Sequence, residues 1–186
     1  MEPKTLILID GHALAYRSYF ALERTKMHTA DNKPTWAVYG FFKAIFDLLK
    51  KVKPDAIAVS FDSGRDTFRL REYPEYKANR QAMPEPLREQ MSEIVEGVKL
   101  FDIPVFQVQG YEADDVIGTI AEKAHKLGHK TLILTGDRDA FQLLDEDKHI
   151  RVLIPSQGEL TEYDREAVHH RMGVWPENIT DLKCLS

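Results

Sequence analysis

The apolar residues of this chain come in short, β-branched-rich runs separated by segments of helical periodicity, and that alternation admits few folds. Leu6 to Ile9, Ile57 to Phe61, Val105 to Val108, Leu132 to Leu134 and Val152 to Ile154 have the length and composition of buried strands. Between the first two, Phe41, Phe42, Ile45, Leu48 and Leu49 recur at helical spacing after Pro34, and the helix they predict ends before Pro54. Leu87, Met91, Ile94, Val95, Val98 and Phe101 mark a second helix, with Pro86 in its first turn and Pro104 beyond its end. Val116, Ile117, Ile120, Ala121 and Ala124 mark a third, stopped by Gly128 at a position that tolerates left-handed backbone. Strand and helix in alternation predict an α/β fold, a mainly parallel central sheet with helices on both faces. At 186 residues and 43% hydrophobic the chain can fill the core of one such domain, and neither an internal repeat nor a low-complexity linker divides it.

Acidic residues sit where the apolar runs stop. Asp10 follows the first, Asp62 the second, Asp137 and Asp139 the fourth, and Glu112, Asp114 and Asp115 lie just past the third, opening a helix. In parallel α/β sheets ligands bind beyond the carboxyl ends of the strands, so seven carboxylates far apart in sequence are expected along one edge. A helix macrodipole explains one acid in a first turn, at about 0.3 to 1 kcal/mol. It does not explain the whole set, because two unit charges about 4 Å apart repel by about 4 kcal/mol at an effective dielectric of about 20. Bound cations offset such crowding, and hard carboxylate oxygens suit Mg²⁺ or Mn²⁺. Seven acids are enough for two ions, which together activate water and stabilise a departing oxygen in phosphodiester hydrolysis. Asp10, Asp62, Glu112, Asp114, Asp115, Asp137 and Asp139 are therefore the candidate metal ligands.

Other chemistries lack sequence support. There is no Gly-rich phosphate loop, no Gly-x-Gly-x-x-Gly turn and no Gly-x-Ser-x-Gly elbow. Cys184 is the only cysteine, which excludes an intrachain disulfide and a cysteine-based zinc site and fits a reducing, cytoplasmic setting. His125, His129, His169 and His170 read as surface residues. No apolar run approaches membrane-spanning length, and the N-terminus is too short and too lightly flanked for a signal peptide, so no membrane partner is expected.

The net charge of -5 argues against a surface that grips nucleic acid everywhere. One segment departs from it. Arg65, Arg69, Arg71, Lys77, Arg80 and Arg88 outnumber Asp66, Glu72, Glu75 and Glu85, and Phe68, Tyr73 and Tyr76 are interleaved with them. Cations for phosphates and aromatic faces for bases are the combination that holds single-stranded nucleic acid. The segment links the second strand to the next strong helix over more than twenty residues, a length that in compact domains marks function or disorder. Arg17, shortly after Asp10, is a further candidate phosphate contact.

Five stretches carry a resemblance: Ile9-Asp-Gly-His12 with Tyr16-Arg17, Val59-Ser-Phe-Asp62, Tyr73-Pro-Glu-Tyr-Lys-Ala-Asn-Arg80, Gly110-Tyr-Glu-Ala-Asp-Asp115 and Thr135-Gly-Asp-Arg-Asp139. In order and spacing they resemble the 5′-nuclease domain of bacterial DNA polymerase I over almost the whole chain. The resemblance implies a PIN-like 5′-nuclease fold with a helical arch at about 64–86. It also implies a Mg²⁺-dependent 5′ to 3′ exonuclease and flap endonuclease, acting on 5′ flaps, single-stranded 5′ ends and RNA primer–DNA hybrids, with a polymerase domain following in the parent chain. By the same resemblance Asp10, Asp62 and Asp114 serve mainly a first metal, Glu112, Asp137 and Asp139 mainly a second, and Asp115 either shell. Lys77 and Arg80 are the catalytic cations of the arch, and Tyr76 stacks on a base. Residues 1–186 are then an N-terminal part of the nuclease domain, ending before a Gly-Asp-x-x-Asp element and a helix-three-turn-helix region. Such a piece is expected to bind a divalent ion but to cleave flaps weakly or not at all. The alternatives are a module that only binds metal and single-stranded nucleic acid, a related ribonuclease, and a metal-dependent phosphatase; the long basic and aromatic segment disfavours the last.

Overall fold

A computed structural model describes residues 2–64, 66–76, 81–156 and 158–184. In chain order the elements are β1 (Thr5–Asp10), α1 (Gly11–Leu22), α2 (Trp36–Val52), β2 (Ala56–Ser60), α3 (Phe68–Glu72), α4 (Glu85–Leu100), β3 (Val105–Phe106), α5 (Ala113–Lys126), β4 (Lys130–Leu134), β5 (Ile150–Ser156), β6 (Glu159–Tyr163), α6 (Arg165–Met172) and α7 (Ile179–Cys184). Short 3-10 turns occupy Glu23–Thr25, Arg138–Leu143 and Pro176–Asn178.

The strands form one sheet in the order β3-β2-β1-β4-β5-β6. β1 to β5 run parallel, and β6 returns antiparallel along β5. The order places the topological switch point beside β1, where crossovers leave in opposite directions and open a crevice. Period-two alternation divides the core. Ile7, Ile9, Val59, Leu134 and Leu153 pack beneath α1, α2 and α4. Leu8, Ala58, Ile133, Val152 and Ile154 face the other way, against α5, the Arg138–Leu143 turn, α6 and α7. With both faces covered, the central strands read as unbroken apolar runs.

The expected mainly parallel α/β sheet with helices on both faces is the fold found. The α2, α4 and α5 helices lie where periodicity and proline placed them, and Gly128, at φ +77°, terminates α5. Three elements differ from expectation or were not foreseen. α1 follows β1 without a linker, and its buried side is carried by small or mixed residues, Gly11, Leu14, Ala15, Ser18 and Tyr19, so it has no strong apolar stripe. β6 is a polar edge strand that earns its place by pairing with β5. β3 is shorter than the Val105–Val108 run: it pairs with β2 through Val105 and Phe106 alone, and Val108 is exposed.

One buried polar contact ties the helical layer together. Thr35 gives α2 no side-chain cap. Gln90 of α4, fully buried, takes that role: its Oε1 accepts the Ala37 N–H at 2.7 Å while its Nε2 donates to the Pro86 carbonyl at 2.9 Å. An unpaired amide at that depth costs about 1 to 3 kcal/mol, so the helix pair is held in register by hydrogen bonds as well as by packing.

Candidate active site

Strand ends, and two glycines that permit close approach, build a cavity of about 590 Å³ at the carboxyl edge of the sheet. Asp10 ends β1 and caps α1, its Oδ1 accepting the Ala13 N–H at 2.9 Å. A side chain at Gly11 would meet the Phe61 ring, the nearest atom 2.2 Å from the added Cβ. One at Gly136 would lie 2.2 Å from the Ala13 carbonyl oxygen. The absence of both side chains lets the first turn of α1 sit against the end of β2 on one side and the loop after β4 on the other.

Five of the seven predicted carboxylates line this cavity: Asp10, Asp62, Glu112, Asp114 and Asp137. Asp62 accepts the Ala113 N–H on Oδ1 at 2.8 Å, which joins the β2 end to the start of α5. Thr135, fully buried, donates its hydroxyl to Asp10 Oδ2 at 3.2 Å and accepts the Asp137 N–H at 3.0 Å. Asp137 in turn accepts the Asp139 N–H at 3.0 Å.

The other two carboxylates turn toward cations. Asp115 is held by both guanidinium nitrogens of Arg69, at 2.6 and 2.7 Å, and also accepts the Glu112 N–H. Asp139 is paired with Lys183 of α7. Among the described residues no group of three or more acidic, histidine or cysteine side chains is gathered tightly enough to hold an ion. The bonds above give a physical reason: Asp10, Asp62, Asp115, Asp137 and Asp139 are each drawn to an N–H, a hydroxyl or a cation.

Electrostatics nevertheless favour a cation in the cavity. Asp10 is only 5% exposed. Burial first, then the charges of Asp114 and Asp62, push its carboxyl up to about 7, against the partial opposition of the Ala13 and Thr135 hydrogen bonds. A carboxylate so reluctant to ionise among other carboxylates regains its charge when a divalent ion arrives. The donors are hard oxygens, so the residues present fit Mg²⁺ or Mn²⁺.

Arg17 lines the same cavity, its Nε donating to the Pro155 carbonyl at 2.6 Å. Burial and the neighbouring Arg138 and Arg171 lower its pKa. The Tyr76 hydroxyl donates to Glu112 Oε2 at 3.1 Å, which puts this predicted base-stacking residue at the cavity edge. Lys77 and Arg80, the predicted catalytic cations, and Arg65 lie outside the described residues. Within 64–86 the described parts hold one short helix, α3, a turn at 74–76 and the first residues of α4.

Two residues with no role assigned from sequence stand out. His12 lines the cavity, and its Nδ1 accepts the Asp62 N–H at 3.1 Å, which defines the Nε2-protonated neutral ring. Its signal was position, two residues beyond a strand-end aspartate. Arg69 counted as one of six cations in a basic segment, and nothing in a linear pattern singles out the one that meets Asp115.

The site this fold defines is a crevice at the switch point of a parallel sheet, lined by strand-end carboxylates with Arg17 beside them. The chain belongs to the 5′-3′ exonuclease family, as its N-terminal resolvase-like domain, whose family model matches residues 5–173. It is 43% identical to the DNA polymerase I of Chloroflexus aurantiacus over 183 residues, 97% of this chain and 19% of the relative. It is 42% identical to that of Mycobacterium tuberculosis over 183 residues, 97% of this chain and 20% of the relative. The chain thus spans about a fifth of the length of these relatives. Among solved structures it resembles the bacteriophage T5 5′-exonuclease with bound zinc, at TM-score 0.72 and 25% identity, covering 97% of this chain and 65% of that one. It shares its fold with the flap endonuclease-1 of Methanococcus jannaschii, at TM-score 0.54 and 12% identity, covering 96% of this chain and 62% of that one.

Proposed function

We propose that this chain is the N-terminal part of a metal-dependent, structure-specific 5′ to 3′ nuclease domain that hydrolyses phosphodiesters at 5′ ends and 5′ flaps of DNA. The observation that carries the reading is Asp10, a buried carboxylate brought to about 7 by burial and by Asp114 and Asp62, at the floor of a crevice edged by Arg17. A phosphodiester is an anion, and a site of this charge accepts one only with metal present. The family membership and the relatives support the same class of chemistry.

Asp10, Asp62 and Asp114 would hold one divalent ion, Mg²⁺ or Mn²⁺, and Glu112 and Asp137 a second, joined by Asp139 once it releases Lys183, with Asp115 beside them. Bound there, the metal supplies Lewis acidity to the phosphodiester and an activated water. The chain's own residues do the rest. Thr135 and the Ala13 N–H orient the Asp10 carboxylate, and the Ala113 N–H orients Asp62. Arg17 offers cationic contact to phosphate from α1, and Lys77 and Arg80 are proposed to supply positive charge to the scissile group where it develops. Tyr76 is proposed to stack on a base of the incoming strand.

The proposed partners are 5′-flap and single-stranded 5′ ends, RNA primer–DNA hybrids, and a polymerase domain in the same polypeptide, with action in replication and repair. Among the described residues no helix is long and apolar enough to cross a membrane, and a cytoplasmic, nucleoid-associated location is part of the proposal. The test is cleavage of a 5′-labelled flap duplex in Mg²⁺ by the chain within its natural polypeptide, alongside the Asp10→Asn variant. Flap release abolished by chelator and by Asp10→Asn is the expected result. An intact flap with the unmodified protein at saturating Mg²⁺ would refute the reading.

A further inference from the structure

The Arg69 guanidinium engages both oxygens of Asp115, and its Nη1 also approaches Glu112 Oε2 at 3.7 Å. It lies 4.7 Å above the Phe68 ring, which packs against Tyr111 at 5.6 Å between centroids. The Phe68 N–H donates to the Gly110 carbonyl at 2.9 Å, and the Tyr76 hydroxyl reaches Glu112. All but the Arg69–Phe68 contact join the 67–76 stretch to residues Gly110–Asp115. α3 has five residues, too few to be stable as an isolated helix, so its position depends on this docking. Glu112 lines the cavity and Asp115 does not.

We propose that Arg69 is a positioning residue: it holds Asp115 as a fixed counter-charge outside the metal's ligand set and so anchors the start of the 64–86 segment on the first turn of α5, beside Glu112. The inference rests on the reading of the cavity as a metal site and deepens it. Bidentate guanidinium–carboxylate pairing is among the strongest and most directional side-chain contacts, and to ligate an ion Asp115 would have to surrender it. Asp115 is also the residue that accepts the Glu112 N–H, so the same pair sets the backbone that presents Glu112 to the cavity. Lysine supplies charge without the planar fork and cannot hold both oxygens at once.

The test compares Arg69→Gln, Arg69→Lys, Asp115→Asn, the Arg69→Gln/Asp115→Asn double variant and Glu112→Gln. Two measurements are made on each: amide hydrogen exchange over residues 67–72, and Mn²⁺ affinity by calorimetry with the metal alone. Exchange is expected to accelerate by about tenfold or more in Arg69→Gln and in Asp115→Asn, and no further in the double variant, because both act through one contact. Arg69→Lys should recover little of the protection. Mn²⁺ affinity should fall by about tenfold in these variants, the low end for partners outside the ligand set, and further in Glu112→Gln. Unchanged exchange in Arg69→Gln overturns the proposal. So does an Asp115→Asn variant that loses Mn²⁺ as deeply as Glu112→Gln while Arg69→Gln retains it, since Asp115 would then be a ligand. If the unmodified protein takes up no Mn²⁺, the metal reading fails on its own, and the exchange data still decide whether Arg69 anchors α3.

Discussion

The Thr135 hydroxyl donates to Asp10 Oδ2 at 3.2 Å and accepts the Asp137 N–H at 3.0 Å, which locks the ends of the adjacent strands β1 and β4 into one hydrogen-bonded unit. Both side chains are buried. Replacing the hydroxyl by a methyl removes a donor from a buried carboxylate and an acceptor from a backbone amide without changing shape. Thr135→Val is therefore expected to destabilise the fold by about 1 to 3 kcal/mol, the cost of leaving such groups unpaired. Urea unfolding at neutral pH without metal measures it, and an unchanged midpoint would contradict the assignment.

Asp10 makes stability depend on pH in the direction opposite to most carboxylates. Its pKa rises from the ordinary 3.8 to about 7 on folding. Between those values the folded chain holds the proton and the unfolded chain releases it. This group's contribution is thus most favourable below about pH 4 and declines as pH rises through 7. The loss is bounded by about 4 kcal/mol, from about 1.4 kcal/mol per pH unit. Metal-free Asp10→Asn should be more stable than the unmodified protein at pH 8 and lose that advantage by about pH 4. Melting curves across this range, with chelator present, provide the check.

Divalent metal should reverse that penalty. A ligand bound only by the folded state stabilises it by about 2.7 kcal/mol at one hundred times its Kd. Mg²⁺ and Mn²⁺ are expected to raise the melting temperature, more at pH 8 than at pH 5.5, because binding requires Asp10 ionised. Chelator should return it to the starting value. A melting temperature indifferent to both ions would count against the metal site.

Gly136→Ala should damage the site from outside the carboxylate set. The new Cβ would stand 2.2 Å from the Ala13 carbonyl oxygen and 2.7 Å from Arg17 Cβ. Backbone cannot yield as a flexible side chain does, so the loop carrying Asp137 must shift away from α1. The expected cost is about 1 to 3 kcal/mol of stability, the range for overpacked sites, with weakened Mn²⁺ binding measured by calorimetry. Gly136 lies outside the left-handed region, so its effect comes from the clash; Gly158→Ala, with no atom within 4 Å of an added Cβ but a φ of +86°, shows by contrast what left-handed strain costs without a clash.

Much of the fold was legible in the linear pattern because period-two and period-3.6 burial are local properties. Ile7, Leu8 and Ile9 could be assigned to a covered strand, and Phe41, Ile45 and Leu48 to one helix face, without knowing their neighbours. α1 and β6 were not legible for a physical reason. Leu14 and Ala15 make too thin a stripe to advertise a helix, and Glu159 to Tyr163 becomes a strand only by pairing with β5.

The same division holds for the site. Sequence alone determined that carboxylates would gather at one edge of a parallel sheet, since a residue at the end of a buried strand has nowhere else to go. It also supplied the expectation that the proposed function carries, hard-cation chemistry, because so many acids at strand ends favour such ions. Only the tertiary structure decided which acids face the cavity and which are answered by the protein itself. Asp115 meets Arg69 and Asp139 meets Lys183, partners 46 and 44 residues away. Asp10 is pushed to about 7 by Asp114 and Asp62 as well as by burial. Charge interactions and desolvation depend on distances through space, and these are set by how the helices pack on the sheet.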